Sequence, residues 1–321
     1  MPIVLPADLP AAALLRDEGA AVEQPSAGTR ELSVVLVNLM PDRPSTEAQF
    51  ARLLASSRHR VRLTLAVPDG VEMPAGTHLA RFYRPWAEVE RAGPDAIIVT
   101  GAPVERLPFD EVRYWPGIVR ILDWAAAGRV PAYLVCWAAQ AGLWHRHGIA
   151  KRDLAEKAFG VFAHEVRMPA APILSGIGDC LLAPVSRHTA TDPADLVGQG
   201  GLCVLAASAA TGLCLAEDAG LRAHYMLNHP EYDADTLRSE FVRDLAAGRP
   251  TRLPSGYFPR GDASAMPVAF WRPQAVRLFQ NWLEGVAAAR RDGPYRGPAK
   301  NSCIARSMKA TSRGRRKDAA M

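Results

Sequence analysis

The sequence predicts an α/β fold in which a mostly parallel sheet is flanked by helices, and three observations carry that expectation. Short apolar runs of strand type recur up to Cys136, segments of helical periodicity lie between them, and the connections are short. Strands alternating with helices in this way pair in parallel, are buried on both faces, and place ligands beyond their carboxyl ends.

Glu31 to Leu39 is a β-rich apolar run, and Pro44 to Ser57 follows as a helix, with apolar or alanine positions at helical spacing after a Pro-Ser-Thr start. Arg60 to Val67 reads as a strand and Asp95 to Thr100 as a buried strand. Trp115 to Ala127 reads as a helix ended by Gly128. Pro131 to Cys136 is a strand that runs directly into a helix from Trp137 to His147. Beyond Lys151 the pattern changes: Cys203 to Ser208, Gly212 to Ala216 and Leu221 to Leu227 are closely spaced strands joined by short turns, which predicts antiparallel additions. A helix from Ala234 to Ala247, an ordered loop from Pro250 to Pro273 and a closing helix through Leu278, Trp282 and Val286 complete the body.

With 321 residues, 49% of them hydrophobic, the chain is long enough for a large buried core. No apolar run approaches the ~20 residues that span a bilayer. The first residues lack Lys or Arg and carry Asp8 and prolines where a signal peptide needs an apolar helix, so a cytoplasmic location is expected. Five cysteines, at 136, 180, 203, 214 and 303, have no close spacing, which argues against a disulfide framework and against a zinc cluster. Cys180, Cys203 and Cys214 have small or apolar neighbours and read as core thiols.

The net charge of +5 invites a nucleic-acid partner, but the stretch from Arg296 to Met321 carries +7 and leaves −2 for the rest. The expected organisation is a catalytic body over 1–292 and a basic, disordered tail over 293–321, with no membrane and no specific nucleic-acid partner.

Two features carry chemistry. In Tyr133-Leu134-Val135-Cys136-Trp137-Ala138-Ala139-Gln140 a buried strand meets a helix at a cysteine. That turn projects the side chain from the sheet, and the helix N-terminus favours negative charge on sulfur. In Asn228-His229-Pro230-Glu231-Tyr232-Asp233, a proline holds a His and a Glu extended toward one side, where the His can take a proton and the Glu can orient its ring. The alternatives are a core cysteine and a polar surface turn capped by Asp233.

Together these features resemble the class I glutamine amidotransferase-like, flavodoxin-like fold, whose elbow has a cysteine with glutamine four residues on and whose base lies in a His-Pro-Glu motif. Leu134 and Ala138 replace the glycines that flank the elbow cysteine in true amidotransferases, which disfavours glutaminase activity. Longer matches resemble one branch, the homoserine O-acyltransferases of methionine biosynthesis. They are Asn38-Leu39-Met40-Pro41 with Glu47 and Gln49-Phe50, Thr100-Gly101-Ala102-Pro103, Tyr114-Trp115-Pro116, Val135-Cys136-Trp137, Glu156-Lys157, Ala183-Pro184 with Ser186-Arg187, and His229-Pro230-Glu231-Tyr232-Asp233. Asn228 stands where that family usually has glycine, and His188 where it often has an aromatic residue.

The resemblance implies a ping-pong reaction with acyl-CoA and L-homoserine as substrates, no resident cofactor or metal, and a homodimer. Cys136 would carry the acyl group, His229 would act as base and Glu231 as its orienting partner. Lys157, Ser186 and Arg243 would line the substrate site, Ala102 and Trp137 would supply oxyanion donors, and Glu105 would select acetyl-CoA over succinyl-CoA. Succinyl transfer to homoserine, acetyl transfer to serine and a silent binding or regulatory module of the same fold remain the alternatives.

Overall fold

The computed structural model describes residues 2–26, 28 and 31–292, so the basic tail lies outside the described residues. In chain order the elements are β1 (Ile3–Val4), α1 (Pro10–Asp17), β2 (Val22–Glu23), β3 (Leu32–Val37), α2 (Arg43–Ala55), β4 (Val61–Val67), α3 (His78–Phe82), β5 (Tyr83–Pro85), α4 (Trp86–Ala92), β6 (Ala96–Val99), α5 (Trp115–Gly128), β7 (Ala132–Val135) and α6 (Trp137–His147). They continue as β8 (Arg152–Val166), β9 (Cys180–Ala190), β10 (Leu202–Ser208), β11 (Gly212–Asp218), β12 (Ala223–Met226), α7 (Thr236–Ala246) and α8 (Arg272–Asp292).

These strands form one sheet in the order β2-β1-β4-β3-β6-β7-β12-β11-β10-β8-β9, with β5 added beside β4. Every pairing from β2 to β12 is parallel, and those from β12 to β9 are antiparallel. Parallel strands are buried on both faces, which is why β3, β6 and β7 read as unbroken apolar runs. Val34 and Leu36 pack under α1, α2 and α8, against Leu15, Phe50, Leu53 and Phe279. Val35 and Val37 face the other way, toward Trp86, Ile118, Ile121 and Trp137 on α4, α5 and α6.

Several elements differ from the sequence expectation. The strand expected at Leu221 to Leu227 is antiparallel to β11 but parallel to β7, so it is the seam between the two halves of the sheet. The long hairpin of β8 and β9 has no clean alternation in sequence, because the register shifts between Asp153 and Ala158 and Gly160 is bent at φ +143° to lie against the backbone of Ser255. Helix α5 stops on Arg129, which takes the left-handed conformation at φ 52°, one residue beyond the expected Gly128. Cys180 is exposed rather than in the core, whereas Cys214 is fully buried.

The chain leaves β3 for β4 on one side and later adds β6 and β7 on the other. This reversal opens a crevice at the carboxyl ends of β3, β6 and β7. At its base Leu39 N–H donates to Thr100 Oγ1 at 2.8 Å, joining the ends of β3 and β6. Among the described residues no helix is long and apolar enough to cross a membrane.

Candidate active site

Cys136 occupies the first residue beyond β7 and caps α6, at φ 51° and ψ −113°. A side chain in this region is strained by roughly 1–3 kcal/mol, and such strain is held only where the surroundings over-determine it. Here the restraint is visible: Cys136 N–H donates to Met226 O at 2.7 Å, and its carbonyl accepts from Gln140 N–H at 3.2 Å. Gln140 is clamped in turn by Thr189 Oγ1, which donates to its side-chain carbonyl at 2.9 Å. The thiol therefore points from the sheet at the start of α6, where the first amides have no intrahelical acceptor.

Met226 ends β12, so the same pairing that holds Cys136 delivers the Asn228–Asp233 segment to the crevice. His229 Nδ1 lies 2.7 Å from Glu231 Oε1, and His229 N–H donates to Pro184 O at 2.8 Å. The imidazole faces Cys136 with a side-chain hydrogen bond to its sulfur. Burial works against charge on His229, but the negative charges of Cys136 and Glu231 outweigh it and hold the imidazole well above its usual value. This is a cysteine–histidine–glutamate row in which the ring is oriented from behind and charged in front.

The polar-turn alternative for 228–233 does not hold, since His229, Glu231 and Tyr232 are all buried. Asp233 serves instead as an anchor, its carboxylate accepting from Arg52 on α2 and Arg272 on α8, each at 2.6 Å. Asn228, at the family's glycine position, is fully buried, and its side-chain amide lies 3.0 Å from His164 Nε2.

Gly101 packs against Cys136: a Cβ there would lie 3.2 Å from Cys136 Cβ, 3.6 Å from His229 Cε1 and 3.7 Å from the sulfur. Ala102, next in the chain, is buried. Gly101→Ala is expected to leave the far-UV circular dichroism unchanged and to lower kcat/KM for acyl transfer by about 10²-fold. The methyl group would press on Cys136 and His229, and a displacement of about 1 Å suffices for that loss.

The residues expected to line the substrate site come together, but through partners that the motifs did not reveal. Lys157 Nζ lies 3.2 Å from both Glu240 Oε2 and Asp244 Oδ2, and 4.0 Å from the centre of the Phe159 ring. Ser186 Oγ donates to Glu240 Oε2, and Tyr232 OH donates to Glu240 Oε1 at 2.9 Å. The Tyr232 ring then stacks on His229 with centroids 4.3 Å apart, so Glu240 connects the substrate pocket to the base. Arg243 reaches the cluster through Asp244 Oδ1 at 2.9 Å, while most of its guanidinium faces solvent. Burial opposes charge on Asp244, yet Arg243 and Lys157 pull its carboxyl below the ordinary range. Glu240 and Asp244 lie four apart on α7, a spacing that puts both on one helix face.

Glu105 is half-buried on the loop after β6, and its backbone carbonyl accepts from Lys151 Nζ. Its neighbour Arg106 donates to His188 Nδ1 at 2.8 Å. Burial, and after it Arg106, lowers the pKa of His188, while Glu105 acts the other way.

Residues 2–291 match the family described as HTS, homoserine O-succinyltransferase. This chain belongs to that family. Within it, the chain is 43% identical over 293 residues to a homoserine O-acetyltransferase of Chelativorans sp. strain BNC1, covering 89% of this chain and 94% of that one. It is 45% identical over 293 residues to a homoserine O-acetyltransferase of Rhizorhabdus wittichii, covering 89% and 91%. Among solved structures it is similar to a glutamine amidotransferase of Thermotoga maritima, with a TM-score of 0.56 at 12% identity over 81% of this chain and 100% of that one. That likeness shows a class I glutamine amidotransferase-like fold, as the elbow and the His-Pro-Glu motif implied.

Proposed function

We propose that this chain transfers an acetyl group from acetyl-CoA to the side-chain hydroxyl of L-homoserine, through a thioester on Cys136. The observation that carries the chemistry is the buried row of Cys136, His229 and Glu231 at the carboxyl end of β7, with Cys136 at the N-terminus of α6. The names of the relatives support the acyl group and the acceptor.

In the resting site the charged His229 supports a thiolate on Cys136. The sulfur attacks the thioester carbonyl, the tetrahedral oxygen is held by backbone amides such as those of Ala102 and Trp137, and coenzyme A leaves with the proton from His229. Acylation then removes the negative charge that had raised His229. Burial pushes the ring back toward the neutral form, so it becomes a base as homoserine arrives. It accepts the hydroxyl proton, the oxygen takes the acyl group, and the thiolate returns beside the imidazolium. Thioester-to-thioester exchange keeps the acyl group activated between the two substrates.

Homoserine brings a carboxylate and an ammonium. Arg243 has the planar fork suited to the first, and the Glu240–Asp244 pair, which already surrounds the Lys157 ammonium, suits the second. Ser186 and Lys157 lie between them. No residue of this row is missing, which argues against a silent binding module.

The family's description names succinyl transfer and the relatives' names acetyl transfer, and Glu105 is the basis for choosing acetyl. Its carboxylate on the crevice rim repels the free carboxylate of succinyl-CoA and fills space that the longer chain needs. Glu105→Gly is expected to move the ratio of kcat/KM values toward succinyl-CoA by at least about tenfold. The deciding measurement is release of free coenzyme A thiol from acetyl- and succinyl-CoA, crossed with homoserine and serine as acceptors. A wild type that prefers succinyl-CoA would overturn the donor assignment, and one that prefers serine would overturn the acceptor. The same resemblance supports a homodimer acting in the cytoplasm, and light scattering that gives a monomer mass would remove the first of these.

A further inference from the structure

Arg187 lies on β9, two residues before the Thr189 that clamps Gln140 in α6, and is only 1% exposed. Its guanidinium donates to the carbonyls of Thr189 and Thr211, and Nε has no hydrogen-bond partner among the described residues. Among those residues no carboxylate lies within ion-pair distance of it, whereas buried arginines are ordinarily paired. Holding such a charge from water is costly unless a negative charge forms nearby. Burial lowers the pKa of Arg187, and negative charge on either of two nearby sulfurs, Cys136 or Cys214, would act the other way.

The surroundings single out one of them. Cys214 on β11 is pushed by burial up to about 12 and stays a thiol. His164 on β8 is lowered to about 4, first by burial and then by Arg187 itself, and stays neutral. Tyr133 on β7 is raised far from ionisation by burial, with Glu231 adding to the effect. Tyr232 is raised likewise by burial, then by Glu240, Glu231 and Cys136. Glu231 is engaged with His229. Of the two sulfurs, Cys136 is the one that becomes an anion in the proposed reaction.

The link is also mechanical. Arg187 grips the carbonyl of Thr189, and the Thr189 hydroxyl grips Gln140 in the first turn of the helix that Cys136 opens. The neighbouring Ser186 points into the substrate pocket, so the strand alternates between acceptor binding and this buried charge.

We infer that Arg187 is a positioning residue for acyl transfer: an uncompensated buried guanidinium that holds positive potential under the elbow and stabilises the Cys136 thiolate alongside His229. This rests on Cys136 as the nucleophile. When Cys136 is acylated the anion disappears and Arg187 keeps only its two carbonyls, so the site is electrostatically biased toward expelling the sulfur again in the second half-reaction.

The test is the pH dependence of iodoacetamide labelling of Cys136, read by intact mass on the full chain, in wild type, Arg187→Met, Arg187→Gln and Arg187→Lys. Met removes the charge, Gln keeps an amide donor for the carbonyls without it, and Lys keeps the charge without the fork. The expected result is a labelling profile displaced upward by about one pH unit in the Met and Gln variants, about tenfold slower labelling at neutral pH, and a near wild-type profile in the Lys variant. Melting temperatures need not follow that order, since a stapling role depends on the fork and not on the charge.

Met or Gln variants that label as the wild type does would overturn the inference. So would a Lys variant displaced as far as Met, and that arm stands even where the uncharged variants fail to fold. A wild type that is not labelled at Cys136 at any pH would instead bring down the acyl-enzyme reading itself.

Discussion

Cys136→Ser is expected to abolish acyl transfer, lowering kcat/KM by on the order of 10⁴-fold or more, with the circular dichroism and melting profile of the wild type. The position tolerates the change structurally, because the strained backbone of residue 136 is set by its hydrogen bonds to Met226 and Gln140, which a serine keeps. Chemically it is severe. A serine hydroxyl is far from ionisation at neutral pH, and removing the sulfur also takes away the anion that holds His229 charged. Wild-type protein mixed with acetyl-CoA and no acceptor should gain one acetyl mass, located on Cys136, and lose it when homoserine is added. Absence of the adduct, or its appearance on Cys180 or Cys214, would rule out the ping-pong route.

His229→Ala is expected to lower kcat by about 10³- to 10⁴-fold, and Glu231→Gln by about 10²-fold. The difference follows from their roles: His229 moves the proton in both half-reactions, whereas Glu231 sits behind it at 2.7 Å and supplies orientation and charge. The residual activity of His229→Ala should also rise with pH across the neutral range. The thiolate must then form by losing its proton to solvent, so the active fraction grows as pH rises. Glu231→Gln removes one of the two charges that raise His229, so the imidazolium should be lost at lower pH than in the wild type. Near wild-type turnover in His229→Ala would take the histidine out of the mechanism.

How legible each part was in the sequence depended on how local its signal is. The strands β3, β4, β6 and β7 and the helices α2, α5 and α6 follow from apolar patterning, nearly continuous in β3, β6 and β7 and alternating at the start of β4, where Arg62 and Thr64 are half-buried. The short elements β1, β2 and β5 are two or three residues long and carry no period to read. The hairpin of β8 and β9 was hidden by its bulge, by Gly160 and by the polar residues that line its exposed stretches. Cys136 and the His229–Glu231 pair were legible because each sits in a contiguous motif whose backbone geometry the residues themselves impose.

The partners of the substrate site were not legible in that way. Glu240 and Asp244 look like ordinary charges of a surface helix until the fold lays α7 against Lys157, Ser186 and Tyr232. Arg187 reads as one more basic residue on a strand until the fold buries it, where it is left without a carboxylate among the described residues. What the sequence by itself determined was therefore the α/β class, the family and the motifs that hold Cys136, His229 and Glu231, because period, turn geometry and short motifs are properties of neighbouring residues. Only the tertiary structure decided which charges meet, that Tyr232 couples Glu240 to His229, and that a buried arginine is tied through Thr189 to the helix that Cys136 opens. The contacts of Lys157 and Ser186 with α7 and of Thr189 with α6 join residues 49 to 87 positions apart, and their energies depend on burial and distance, which no local pattern encodes.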